Sequence, residues 1–161
     1  LPLPLREIPS IRELGRRLPG VDPLAAASVL TLLLVARDLA ASTEKFFGAY
    51  GISDGKWSVL MLLSGAPAKR MRPSELAAAL TVSRATITGL LKGLERDGLV
   101  SRTGDAADGR ADIVRITSGG SALLRKMVPA LAKRHAATTA TLSRSECETL
   151  IGLLQKLRLP D

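Results

Sequence analysis

Two helical segments separated by only Thr81 and Val82 limit this chain more than anything else in it. The first runs from Pro73 to Leu80. Proline suits a first helical position, where its missing N–H is not needed, and Leu76, Ala77 and Leu80 make an apolar stripe. The second starts after Ser83, whose hydroxyl can accept from a free N–H of the first turn, and stops before Gly98, where a left-handed residue would close it. Ile87, Leu90, Leu91 and Leu94 recur at the helical period and form its inner face, while Arg84, Ala85, Thr88, Gly89 and Lys92 fall on or beside the opposite side. Two helices joined by so short a turn make a helix-turn-helix.

The outer face of the second helix carries small residues, hydroxyls and cations, which is what a helix entering a DNA major groove presents. Downstream, residues 99–102 and 112–116 alternate apolar with polar, and the Gly, Asp and Ala residues between them form a turn. Helix, turn, helix and hairpin make a winged helix. At the hairpin tip Arg110 is placed to enter a minor groove, and Asp108 to hold it by charge, whereas Asp105 and Asp112 face away from phosphates.

These pieces resemble the MarR family of bacterial transcription regulators. The resemblance rests on Trp57-Ser58-Val59-Leu60, Ser74-Glu75-Leu76-Ala77, Val82 to Thr88, Leu94 to Val100, Asp108-Gly109-Arg110 and Val114 to Thr117, in the family's order and spacing. It covers about residues 24 to 157. Two departures stand out: Gly89 replaces an arginine common in the family, and Thr81 replaces a glycine common in the turn, a change expected to matter little. The resemblance implies a mainly α fold with a small β-hairpin wing, in which N- and C-terminal helices interleave with those of a second copy. Residues 1–50 would be the N-terminal extension and dimerisation helix, 51–117 the winged helix-turn-helix, and 118–161 the C-terminal dimerisation helices.

The implied function is a sequence-specific DNA-binding regulator, a repressor, acting as a homodimer on a near-palindromic operator. Its half-site centres should lie about 10 base pairs apart or one turn more. The DNA-contacting set is Arg72, Ser83, Arg84, Ala85, Thr86, Thr88, Gly89, Lys92 and Arg110. The family also implies release by a small aromatic or amphipathic effector, for which Phe46, Phe47, Tyr50 and Trp57 are the candidate walls; a core role for Trp57 stays open. The alternative is a winged helix that recognises protein rather than DNA.

Composition agrees with a polyanionic partner, with 23 Lys and Arg against 15 Asp and Glu, a formal charge of +8 and a pI near 10.4. Aromatic residues are only 2%, so the core must be built from Leu, Ala, Val and Ile, which suits helices better than sheets. A single cysteine, Cys147, excludes an intramolecular disulfide and reads as packing, and the lone His135 leaves no Cys/His set for a metal. No phosphate loop, nucleophile elbow or acid–histidine pair is present, so neither an enzyme nor a cofactor is expected. The expected compartment is the cytoplasm.

Outside the winged segment, Ser10-Ile11-Arg12-Glu13 is a capping box opening a short helix. A long helix should run from Pro23 to Tyr50, apolar all round at first and buried by more than one neighbour. Its uncharged run, Pro23 to Ala36, has 14 residues, short of the roughly 20 that span a membrane. Ser53 should cap the Trp57 helix, residues 65–72 should be a polar connector, and Pro129 should interrupt and kink the helix after the wing. Ser143 to Glu146 is a second capping box before the stripe Leu150, Ile151, Leu154 and Leu157. With Val29 and Leu33, that stripe exceeds what a winged helix could cover, and self-association is the expected outcome.

Overall fold

The computed structural model describes residues 20, 22–104 and 112–158. They form two compact units, one up to Trp57 and one from Ser58 onward. The capping box at Ser10 and the wing tip with Asp105, Asp108 and Arg110 lie outside the described residues.

In the first unit, α1 (Pro23–Gly48) starts where Asp22 Oδ1 accepts from the N–H groups of Leu24 at 2.8 Å and Ala25 at 3.3 Å. Proline at its first position completes a strong start. At its far end Phe46 packs edge-on against Phe47 and tilts toward Tyr50, and Phe47 meets Trp57 with ring centroids 5.6 Å apart. The body of α1 corrects two expectations. Only Ala27 and Phe47 are buried on it, whereas Leu24 is 64% exposed and Leu33 59%, so the chain does not bury this helix itself. By length and composition α1 could also cross a membrane, since an 18-residue window has a mean hydropathy of 1.8. Counting only uncharged residues stopped the run at Arg37, but Arg37 and Asp38 pair at 3.1 Å and barely interrupt the apolar pattern.

Helix α2 (Asp54–Gly65) follows, with Ser53 Oγ accepting from Lys56 N at 3.4 Å. A 3-10 turn at Pro67–Lys69 leads to β1 (Arg70–Met71), then α3 (Pro73–Leu80), α4 (Arg84–Arg96), β2 (Val100–Gly104), β3 (Asp112–Ile116), α5 (Ser118–Thr138) and α6 (Arg144–Lys156). Winged helix-turn-helix is therefore the architecture of the second unit. Its fully buried side chains include Val59, Leu60, Leu63, Leu76, Ile87, Leu91, Leu94, Val114 and Met127, an aliphatic set as the composition required.

Two details differ from the sequence reading, at the connector and at Thr81. The connector before α3 contains β1, which pairs antiparallel with β3, so the sheet has three strands in the order β1-β3-β2. Thr81, in the turn between α3 and α4, is left-handed with φ 54. That conformation costs a β-branched residue about 1–2 kcal/mol, so exchanging the family's glycine is not a small matter. Pro129 lies inside α5 without ending it: one backbone hydrogen bond is lost, yet the helix continues to Thr138.

The start of α5 is tied closely to the wing base. Thr117 Oγ1 donates to Gly98 O at 2.8 Å and accepts from Gly120 N at 3.1 Å, and Thr117 N donates to Leu99 O at 3.1 Å. Gly98 is left-handed with φ 69, closing α4 as its position predicted. The capping box at Ser143 also forms: Ser143 N donates to Glu146 Oε2 at 2.7 Å, and Glu146 N to Ser143 Oγ at 3.3 Å. Helix α6 has no buried residue, and Ile151, Leu153 and Leu157 are each more than half exposed.

Candidate nucleic-acid interface

The solvent-facing side of α4 is set by what anchors its other side. Ser83 Oγ accepts from Thr86 N at 3.1 Å and lies 2.9 Å from Thr86 Oγ1, which fixes the first turn. Ile87, Leu91 and Leu94 are buried to within 1% of full coverage and fix the rotation of the helix about its axis. With that rotation set, Arg84, Thr88 and Lys92 stand one turn apart on a solvent-facing line, with Ala85 and Gly89 beside them, all exposed. Ser83, Thr86 and Arg72 are exposed as well.

Two of these residues carry more information than their exposure. The Thr88 hydroxyl donates to Arg84 O at 2.8 Å, so its proton is used within the helix and its lone pairs face outward. It is thereby poised to accept, as from an exocyclic amine on a base edge. Gly89 has an ordinary helical conformation, and a Cβ added there would meet nothing within 4 Å. Neither backbone nor packing requires a glycine, although in mid-helix it costs about 1 kcal/mol relative to alanine. What it offers is a bare backbone for close approach from outside.

Arg72 stands at the N-terminus of α3, where its backbone N–H donates to Glu75 Oε2 at 2.7 Å. The wing strands pair in register from Val100 opposite Ile116 to Gly104 opposite Asp112. A contact the sequence did not suggest ties wing to helix: Arg102 Nε on β2 lies 4.0 Å from Glu95 Oε2 on α4. Both charges looked like surface residues, and only the fold brings them together.

The candidate effector walls are grouped but largely used up in packing. Phe47 and Trp57 are buried, and Phe46 and Tyr50 half-buried. The cleft beside them, about 570 Å³, is reached by Phe47 alone of the four and is bordered by the carboxylates of Glu44 and Asp54, which would repel an acid. Among the described residues no group of three His, Cys, Asp or Glu could hold a metal. His135 is exposed and Cys147 half-buried on α6.

Comparison with known proteins agrees with this geometry. The sequence profile described as MarR family matches residues 50–111. The HTH-type transcriptional repressor YetL of Bacillus subtilis is 34% identical over 138 residues, covering 86% of this chain and 83% of YetL. A probable transcriptional regulator from Pseudomonas aeruginosa superposes with a TM-score of 0.69 at 29% identity, over 80% of this chain and 95% of that one. A mutant MarR from Escherichia coli complexed with operator DNA also gives 0.69, at 26% identity over 81% of this chain and 91% of that one.

Proposed function

We propose that this chain, which belongs to the MarR family of transcriptional regulators, is a repressor that binds a near-palindromic operator as a homodimer and leaves it when a small effector binds. The observation that carries the reading is the outer face of α4. A line of Arg84, Thr88 and Lys92 with a glycine beside it is held at a fixed rotation by buried leucines and isoleucine, and no packing need explains that glycine. The operator-bound complex of the Escherichia coli relative supports DNA as the partner, and the repressor name of the Bacillus relative supports repression.

The homodimer is supported by the apolar surface left uncovered on α1 and α6. Val29, Leu33, Leu150, Ile151, Leu154 and Leu157 are each between 43% and 59% exposed. Contiguous apolar faces of this kind mark an interface, and a second copy of the chain supplies matching ones on both helices. A bilayer would cover α1 but would leave α6 unexplained. Domain roles follow: residues 51–117 read DNA, and the helices on either side assemble the dimer in the cytoplasm.

A mobility shift with the DNA upstream of the protein's own gene tests the reading. Retardation that survives excess random DNA supports it, and no shift at micromolar protein overturns it. Light scattering at the same concentration should give twice the chain mass, with Leu33→Glu and Leu154→Glu each lowering it toward one. A monomeric wild-type protein would remove the dimer.

A further inference from the structure

Helices α4 and α5 are separated in sequence by the whole wing, yet they are joined directly at its base. Leu99 N donates to Leu94 O at 2.9 Å and Gly98 N to Glu95 O at 3.0 Å, so residues 98 and 99 belong to the closed end of α4. Thr117 reaches both of them, its hydroxyl donating to Gly98 O at 2.8 Å and its N–H to Leu99 O at 3.1 Å. The same hydroxyl oxygen accepts from Gly120 N at 3.1 Å and caps α5. One side chain therefore opens one helix and holds the end of the other.

A cap requires only the acceptor. The proton on Thr117 Oγ1 goes to a second use, the tie to Gly98 O, which the cap does not need. Gly120, buried in the first turn of α5, adds a contact of backbone against backbone, since a Cβ there would lie 2.3 Å from Leu99 O. Directed hydrogen bonds and a contact with no slack together fix the angle at which α5 leaves the end of α4.

That angle matters because of what stands at the two far ends. Between the joint and Arg84 lie the 13 residues of α4, a rod about 20 Å long. At its other end α5 leads to α6 and the uncovered stripe of Leu150, Ile151, Leu154 and Leu157. A tilt of about 10° at the joint would move Arg84 by about 3.5 Å, the rise of one base pair. In a two-fold dimer both copies tilt, so the separation of the two Arg84 lines would change by up to about two base pairs.

We propose that Thr117 is a positioning residue that sets the half-site spacing this protein accepts, acting through its tie to Gly98 rather than by touching DNA. The inference rests on the operator-binding homodimer proposed above and names what fixes its spacing.

Two substitutions separate the tie from the cap. Thr117→Asp keeps an acceptor for Gly120 N, and a carboxylate is favourable at a helix start, but it has no proton for Gly98 O. Thr117→Ser keeps both. Each full-length protein is used to select from a pool of random-sequence duplexes, and the bound fraction is sequenced. Wild type and Thr117→Ser should enrich paired half-sites at one spacing about tenfold over spacings one base pair away, the discrimination of one mismatched pair, and Thr117→Asp should narrow that ratio to about twofold. The half-site sequence itself should not change. The angle is read without DNA from spin labels at Ala85→Cys and Ala132→Cys, both exposed positions, in a Cys147→Ser background, with labelled chains diluted into unlabelled ones. Wild type and Thr117→Ser should give one narrow distance, and Thr117→Asp a broadened or displaced one. Identical distances in wild type and Thr117→Asp, or a spacing preference that Thr117→Asp leaves untouched, would overturn this proposal alone. A wild-type protein that enriches no paired half-sites would sink the operator reading and the spacing with it.

Discussion

Replacing Gly120 with alanine sets two effects of opposite sign against each other. Gly120 sits in the first turn of α5, where alanine is by intrinsic preference about 1 kcal/mol better than glycine. A Cβ there would lie 2.3 Å from Leu99 O and 2.7 Å from Ile116 Cγ1, against an ordinary carbon–oxygen approach of about 3.3 Å. The obstacle is backbone, so a shift of about 1 Å must come from moving α5 off the wing base. Overpacking of this kind costs about 1–3 kcal/mol, and the Thr117 N–H bond to Leu99 O, worth about 1 kcal/mol, is strained with it. Sterics therefore win, and Gly120→Ala should destabilise by about 1–3 kcal/mol. Gly119 is the control. Its added Cβ would meet Gly98 O at 3.3 Å and Thr117 Oγ1 at 3.5 Å, tight but tolerable, so Gly119→Ala should be near neutral. Urea unfolding of both variants at one protein concentration measures the difference, since stability of an associating chain depends on concentration. A Gly120→Ala protein as stable as Gly119→Ala would refute the steric argument.

The residues proposed to meet DNA should separate by the kind of contact each would make. Arg84→Ala or Thr88→Val should cost about 1–3 kcal/mol on operator and far less on random DNA, read from binding curves on two fragments. Arg110→Ala should weaken both DNAs by similar factors and lower the slope of log affinity against log salt by about one. Gly89→Arg meets open space and gains helix propensity, so the protein should fold normally and bind all DNA more tightly, as titration at several salt concentrations would show. Hydrogen bonds from the backbone and hydroxyl of Ser143 hold the Glu146 carboxyl below its usual range. The folded chain therefore binds fewer protons than the unfolded one near that range, so the stability from this cap is present above the usual glutamate value and lost as pH falls through the lowered one. Acid unfolding of Glu146→Gln should show a weaker pH dependence there than wild type.

What the sequence disclosed was whatever a single residue type announces locally. Ser83, Pro73, Gly98 and Ser143 each mark a helix end by a donor, an acceptor or a permitted φ, and each is where the marks placed it. Strand β1 was hidden because two residues cannot display an alternation and one of them is arginine. The left-handed turn at Thr81 was hidden because threonine gives no sign of such a conformation, and Gly120 because its tight neighbours come from Leu99 and Ile116, distant in sequence. For α1 the apolar pattern was read as burial by neighbours, but periodicity shows only an apolar surface and not what lies against it, and Leu24 and Leu33 are exposed. The α4 face was fully legible, since a helix's period alone separates Ile87 and Leu91 from Arg84 and Thr88.

The left-handed Thr81 has a mechanical meaning as well as an energetic one. A glycine in that turn would let α3 and α4 flex about it, because glycine has several broad basins to wander among. For a non-glycine residue such as threonine the left-handed region is a single small basin, which argues for a stiffer joint between the two helices. A stiff joint would let the pair tilt as one lever arm, so that a displacement of α3 would carry the line of Arg84, Thr88 and Lys92 with it.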